Sequence, residues 1–178
     1  MILLFLAEGF EEIEAIGTVD VIRRAGIDIK TVGIGGREIK GSHGINVTAD
    51  YDINSLPNKP IDGTILPGGM PGTLNLEKNE KVKELVTYTY NKGLLTAAIC
   101  AAPSILGHMG FLEGKKATCY PGFEKDLYGA EVTGEPVVVN GNVITGNGPG
   151  SAIEFGGEIV SFLLGKEKAD EILEGMQY

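Results

Sequence analysis

Residues 94 to 110 constrain the fold more than any other stretch of the chain. Leu94 to Ile99 are apolar or small and read as a strand buried in a parallel sheet. Cys100 comes next. Ala101, Ala102 and Pro103 then open a helix, with Pro tolerated in a first turn whose N–H groups lack intrahelical partners. Cys100 therefore stands where a buried strand turns sharply into a helix, the setting of a nucleophile elbow. Such a turn exposes its side chain at the carboxyl end of the sheet, where open α/β folds place their ligands. The helix start favours negative charge, so the expectation is a lowered thiol pKa and a nucleophilic thiolate. The other reading open at this point is a buried cysteine that fills a gap in the core.

The rest of the chain repeats the strand-to-helix pattern. Ile2 to Leu6 reads as a first buried strand, followed by a turn through Glu8, Gly9 and Phe10 and a helix over about 11–25. Ile13, Ile16, Val19 and Ile22 recur along that helix, and Gly26 ends it. Ile27 to Ile34 is a second strand, 37–48 a short, partly exposed hairpin and 50–60 loop. Gly63 to Leu66 is the next buried strand and runs into Pro67-Gly68-Gly69-Met70-Pro71-Gly72, whose glycines permit close backbone approach to a ligand. A helix follows over about 79–92. After the Cys100 elbow, 116–119 reads as a strand, 124–128 as a short helix, and Asn140-Gly141 as the turn of a hairpin. Gly146 to Gly150 is a glycine-rich loop, and helices follow over about 151–164 and 166–175. Strands alternating with helices predict one α/β domain over 1–178, with a mostly parallel central sheet and helices on both faces.

Composition narrows the function classes. The net charge of −9 argues against nucleic acid or an anionic membrane as a partner. No apolar run approaches the roughly 20 residues of a membrane span. With two cysteines and no secretory signal, the expectation is a cytoplasmic protein with reduced thiols. The first β-α turn, Ala7-Glu8-Gly9-Phe10-Glu11, carries no G-x-G-x-x-G, and no G-x-x-x-x-G-K-[ST] occurs anywhere, which disfavours a dinucleotide fold and excludes a P-loop enzyme. A flavin carrier would need a phosphate-binding first loop, and none is visible. No Cys/His cluster has zinc spacing, so no metal is expected.

The candidate chemistry centres on Cys100. Glu11, Glu12 and Glu14 follow the first strand, where acidic residues suit the helix dipole. Glu11 and Glu12 read as solvated. Glu14 stands between Ile13 and Ala15-Ile16 and is placed to face the sheet end, where a buried carboxyl would keep its proton and donate it toward a thiolate. Gly68 and Gly69 are candidates to present backbone N–H groups to an oxyanion, together with the amide of Ala101; an ordinary strand-to-helix turn is the alternative. His108 lies eight residues past Cys100, roughly 12 Å along a helix, too far for a direct hydrogen bond. His43, in a Gly-Ser-His-Gly loop, is expected to be exposed at a site rim.

Five motifs in order, Gly9 to Glu14, Val19 to Gly26, Leu66 to Gly69, Ala97 to Pro103 and Gly148 to Gly150, resemble the ThiJ/PfpI superfamily in its DJ-one branch over about residues 2 to 170. The resemblance implies a flavodoxin-like sandwich, a homodimer, Cys100 as the reactive thiol and Glu14 as the protonated carboxyl beside it. Gly69 and Ala101 fall where that family has backbone donors. Arg24, Gly148 and Pro149 match positions near its dimer interface and site rim, as do Tyr120 and Pro121, although many members carry His where this chain has Tyr120. The protease-like branch has His directly after its cysteine, where Ala101 stands here, which disfavours a peptidase because the thiol and the leaving amine then lack a base. Cys119 reads as a strand residue or as a second thiol able to resolve an oxidised Cys100. The resemblance implies a cofactor-independent glyoxalase or deglycase acting on methylglyoxal, glyoxal or their early glycation adducts. Its rival is a redox-sensing or chaperone protein with an oxidisable Cys100.

Overall fold

The apolar runs are strands, and they form the body of one seven-stranded sheet. In the computed structural model, which describes residues 1–178, the strands are β1 (Ile2–Leu6), β2 (Ile29–Gly33), β3 (Glu38–Lys40), β4 (Asn46–Thr48), β5 (Tyr51–Asp52), β6 (Gly63–Leu66), β7 (Leu95–Ile99), β8 (Lys116–Ala117), β9 (Glu131–Val132), β10 (Val137–Asn140) and β11 (Val143–Gly146). The helices are α1 (Glu12–Arg24), α2 (Gly72–Glu77), α3 (Glu80–Asn91), α4 (Pro103–His108), α5 (Ala152–Leu164) and α6 (Lys166–Gly175). The sheet order is β10, β11, β7, β6, β1, β2, β5. All its neighbours pair in parallel except β10 and β11, the hairpin turned by Asn140-Gly141. This is the expected α/β sandwich.

Alternation along β1 divides the core. Ile2, Leu4 and Leu6 join Val19, Ile22, Phe155 and Ile159 of α1 and α5 on one face. Leu3 and Phe5 join Val82, Val86, Ile105 and Leu106 of α3 and α4 on the other. Both faces of β1 are thus dry, which is why its five residues are all apolar and all buried. Helices α1 and α5 approach closely at Gly156, where a Cβ would sit 2.8 Å from the Val21 Cβ.

The structure departs from the sequence expectations at several elements. Ile13 and Ile16 do not face the core; they are 59% and 42% exposed, and α1 buries Ala15, Thr18, Val19, Val21 and Ile22 instead. Part of 50–60 is not loop, because Tyr51–Asp52 adds an edge strand beside β2. A short helix, α2, follows Pro71, with Thr73 and Leu76 buried. The strand expected over 116–119 stops at Ala117. Beyond it, Thr118 N–H donates to Thr145 Oγ1 (2.9 Å) and Tyr120 N–H to the Cys100 carbonyl (2.8 Å). The chain there crosses the carboxyl end of β7 and β11 instead of extending a ladder.

Candidate functional site

Three segments meet at the carboxyl ends of the central strands: the β7–α4 turn with Cys100, the β6–α2 loop with Gly68 and Gly69, and the first turn of α1 with Glu14. Cys100 has φ +65°, in the left-handed region that costs a non-glycine residue of order 1–3 kcal/mol. Fixed contacts hold it there. Its N–H donates to the Gly146 carbonyl (2.9 Å), and its own carbonyl accepts from Tyr120 N–H. The residue is only 8% exposed, so the thiol is nearly covered yet lies at the sheet's open end.

Glu14 is fully buried. Its position is set by the helix start: the Glu11 carboxylate caps α1 by accepting the Glu14 N–H at 2.7 Å. Glu14 Oε2 accepts the Gly68 N–H at 2.8 Å. Oε1 is buried and takes no hydrogen bond of standard geometry, and the Cys100 thiol is the side chain that faces the carboxyl. Residue 68 must be small for this to exist. A Cβ there would lie 2.6 Å from the Cys100 Cβ, 2.9 Å from Glu14 Oε2 and 3.0 Å from the sulfur.

Burial raises the Glu14 pKa to about 7, against the opposing hydrogen bonds of the Cys100 thiol and the Gly68 amide. The Cys100 thiol is pushed up to about 12, first by burial and then by the Glu14 carboxylate, while the amides of Gly69 and Ala101 pull it back. This corrects the expectation of a thiol acidified by the helix start. Helix α4 has only six residues, and its field is outweighed by dehydration and by a carboxylate in contact. Protonating Glu14 removes that carboxylate's repulsion, so the two groups titrate as a pair.

The remaining candidates separate. Tyr120 is 46% exposed and its ring packs over Gly148, where a Cβ would meet Tyr120 Cδ2 at 3.2 Å. Pro121 is exposed beside it, and Pro149 opens the turn before α5. Cys119 is buried one residue before Tyr120, its thiol pushed up to about 11 by burial and then by Glu124 and Asp126. Within one chain Arg24 stands apart from the thiol. It lies ten residues beyond Glu14, about 15 Å along α1, exposed and paired with Asp20 at 2.7 Å.

Glu11 and Glu12 are not solvated; they are 7% and 6% exposed. Glu11 is the helix cap, and Glu12 anchors the 41–45 loop. Glu12 Oε1 accepts the His43 N–H (2.8 Å), and its Oε2 pairs with His43 Nδ1 (2.9 Å). Burial alone would raise the Glu12 pKa, but these hydrogen bonds outweigh it and hold the carboxyl well below its usual range. Three glutamates in one turn exceed what a helix dipole needs, and that excess was the available signal. His43 is exposed as expected, with its ring engaged by Glu12. His108 pairs with Glu77 (2.5 Å) and lies 3.7 Å from Asp126. Both imidazoles are therefore engaged by carboxylates away from the thiol.

A flavodoxin-like sheet that carries a cysteine elbow against a buried glutamate defines a recognisable class of α/β protein. The chain belongs to the DJ-1/PfpI family, which it matches over residues 1–162. It is 33% identical over 175 residues to a Caenorhabditis elegans protein named glutathione-independent glyoxalase DJR-1.2, covering 97% of this chain and 93% of that one. It is 38% identical over 174 residues to protein DJ-1 homolog B of Arabidopsis thaliana, of which it spans only 40%. The crystal structure of Drosophila melanogaster DJ-1beta superposes with a TM-score of 0.92 at 38% identity, over 99% of this chain and 96% of that one. The structure of oxidized Toxoplasma gondii DJ-1 superposes with a TM-score of 0.95 at 33% identity, over 99% and 97%.

Proposed function

We propose that this protein is a cysteine-dependent, cofactor-independent enzyme that converts small α-oxoaldehydes such as methylglyoxal or glyoxal, or their early glycation adducts, to hydroxy acids. The observation that carries the proposal is the buried Glu14 carboxyl against the Cys100 thiol, its pKa raised to about 7, where it can both take and return a proton at neutral pH. The thiol adds to the aldehyde carbon while its proton passes to Glu14, and Glu14 returns that proton to the new hydroxyl of the hemithioacetal. Glu14 then removes the hydrogen from the same carbon as a proton and delivers it to the neighbouring carbonyl carbon, while the hydroxyl proton of the first carbon passes to the oxygen of the second. The first carbon is thereby oxidised to a thioester and the second reduced to a carbinol, with no external electron acceptor. Water cleaves the thioester, releasing lactate from methylglyoxal and restoring the thiol. The amides of Gly69 and Ala101, which face the sulfur, stabilise developing negative charge there. The Tyr120 hydroxyl and the Gly148-Pro149 turn form the rim that meets the substrate. Similarity to the nematode glyoxalase supports the substrate class.

The test is lactate formation from methylglyoxal without glutathione. Wild type should turn over many times, while Cys100→Ser and Glu14→Gln should fall to background with the fold retained. Full turnover in either variant overturns the mechanism. A second reading, a redox sensor in which peroxide oxidises Cys100 to the sulfenic and then the sulfinic acid, is favoured by the position of the thiol at the open end of the sheet and by the relative described as oxidized. Stoichiometric peroxide uptake at Cys100 with no lactate would select it. The homodimer implied by family resemblance would cover the apolar strip of Ile13, Ile16 and Ile45, all exposed on one chain. We place the protein in the cytoplasm on its two free cysteines; no helix is long and apolar enough to cross a membrane.

A further inference from the structure

We propose that His108 is a positioning residue for the Cys100 site, a brace that ties together the far ends of three segments lying around the thiol. Each segment runs outward from the site and reaches the same imidazole. The β6–α2 loop, where a Cβ on Gly68 would lie 3.0 Å from the sulfur, continues into α2, which ends at Glu77. The Cys100 turn continues into α4, which ends at His108. Tyr120, whose N–H donates to the Cys100 carbonyl, leads into the short turn Glu124–Asp126. His108 Nδ1 is 2.5 Å from Glu77 Oε1, and Nε2, on the other side of the ring, is 3.7 Å from Asp126 Oδ1.

The contacts around the ring make the brace stiff. Leu76, Leu106 and Leu127, one from each arm, are buried in a single apolar cluster that also holds Ala102 and Cys119. Helix α4 rests directly on the turn: a Cβ at Gly107 would sit 2.1 Å from the Asp126 carbonyl oxygen and 2.8 Å from the Leu127 Cα. The Tyr128 ring packs on the imidazole, with centroids 5.0 Å apart. The links back to the thiol are short and hydrogen-bonded. Thr73 N–H, at the head of α2, donates to the Gly69 carbonyl (2.9 Å). Ser104 Oγ donates to the Ala101 carbonyl (2.7 Å). Phe123 N–H donates to the Tyr120 carbonyl (3.1 Å) and Asp126 N–H to the Phe123 carbonyl (3.0 Å). Packed, hydrogen-bonded chain transmits a displacement at the ring to Gly69, Cys100 and Tyr120 instead of absorbing it. An imidazole suits the place because it is rigid and carries a nitrogen on each side, so one side chain reaches carboxylates on two different elements. The three side chains are 26–34% exposed, which shields the pairs in part from water and salt.

The test is the rate at which iodoacetamide alkylates Cys100 in a Cys119→Ser background. Alkylation requires no turnover, so its outcome is independent of the α-oxoaldehyde reading. His108→Ala should raise the rate roughly tenfold, the scale of one lost hydrogen bond to a charged group. Glu77→Gln, which keeps the shape of the side chain, should raise it in the same direction by a smaller factor, and it decides the matter alone if His108→Ala does not fold. Amide hydrogen exchange should show the Tyr120 N–H opening faster in the variants while the amides of β1 and β6 keep their wild-type rates. Alkylation at or below the wild-type rate would overturn the brace. So would equal acceleration of exchange across β1 and β6, which would mean a loss of overall stability and no local positioning.

Discussion

Glu14→Gln tests the buried carboxyl through stability as well as activity. The substitution keeps volume and shape, and the amide oxygen can still accept the Gly68 N–H that Oε2 accepts at 2.8 Å. What it removes is titration. Glu14 is raised from 4.5 to about 7, so the folded state holds its proton more tightly than the unfolded state. The sign follows: the favourable contribution is fully present below pH 4.5 and is lost as pH rises to about 7. At about 1.4 kcal/mol per pH unit, the wild type should lose about 3 kcal/mol of stability relative to Glu14→Gln across that interval, and nothing further above it. Other groups titrate in both proteins and cancel in the difference. The assay is urea unfolding of the two proteins at half-unit steps from pH 4 to 8.5, followed by circular dichroism. Parallel stability curves would refute the raised carboxyl, and a difference of opposite slope would mean that Glu14 is held as an anion.

Gly68→Ala should destabilise the protein by about 1–3 kcal/mol through overpacking, and by displacing the thiol and carboxyl it should cut lactate formation about 100-fold; wild-type kinetics in that variant would remove Gly68 from the site. Asp50 accepts the Thr31 N–H at 2.8 Å and pairs with Arg23, and although burial alone would raise its pKa these partners hold it below the usual value. Asp50→Asn should therefore cost about 1 kcal/mol at neutral pH, a loss that shrinks as pH falls through the wild-type carboxyl's titration, read by thermal unfolding. Ile13→Asp with Ile16→Asp should convert the proposed dimer to monomer in light scattering without lowering the melting temperature of the monomer, since both side chains are exposed on one chain.

The fold was legible because its strands are short, apolar and punctuated by Gly or Pro. Ile2–Leu6, Gly63–Leu66 and Leu95–Ile99 show it most clearly. Helix ends were equally readable where a glycine stands at positive φ, as at Gly26. The strand Tyr51–Asp52 was not legible, since two residues carry no period. Nor was the true inward face of α1: the helix packs on the sheet through Ala15, Val19 and Ile22, and the exposed Ile13 and Ile16 mimic a core stripe. At the site, Cys100 was marked by its place between strand and helix and Glu14 by its apolar neighbours. The direction of the thiol's titration was not readable, because it depends on a carboxylate that lies far away in sequence and close in space. Burial of Glu11 and Glu12 escaped for a similar reason, since their partners come from a helix start and a distant loop.

The groups that grip the reacting pair are almost all main chain: the amides of Gly68, Gly69 and Ala101, and the Cys100 backbone itself, pinned by the Gly146 carbonyl and the Tyr120 amide. Peptide groups are common to every sequence that keeps the turn. Tyr120 contributes to this grip through its N–H while its ring lies outside, over Gly148. Under the proposed function, replacing that side chain would change what the mouth of the site selects and leave the anchoring hydrogen bond in place. On that reading chemistry and selectivity are written in different parts of the same residues, so a lineage could diversify its substrates at the rim without rebuilding the proposed nucleophile.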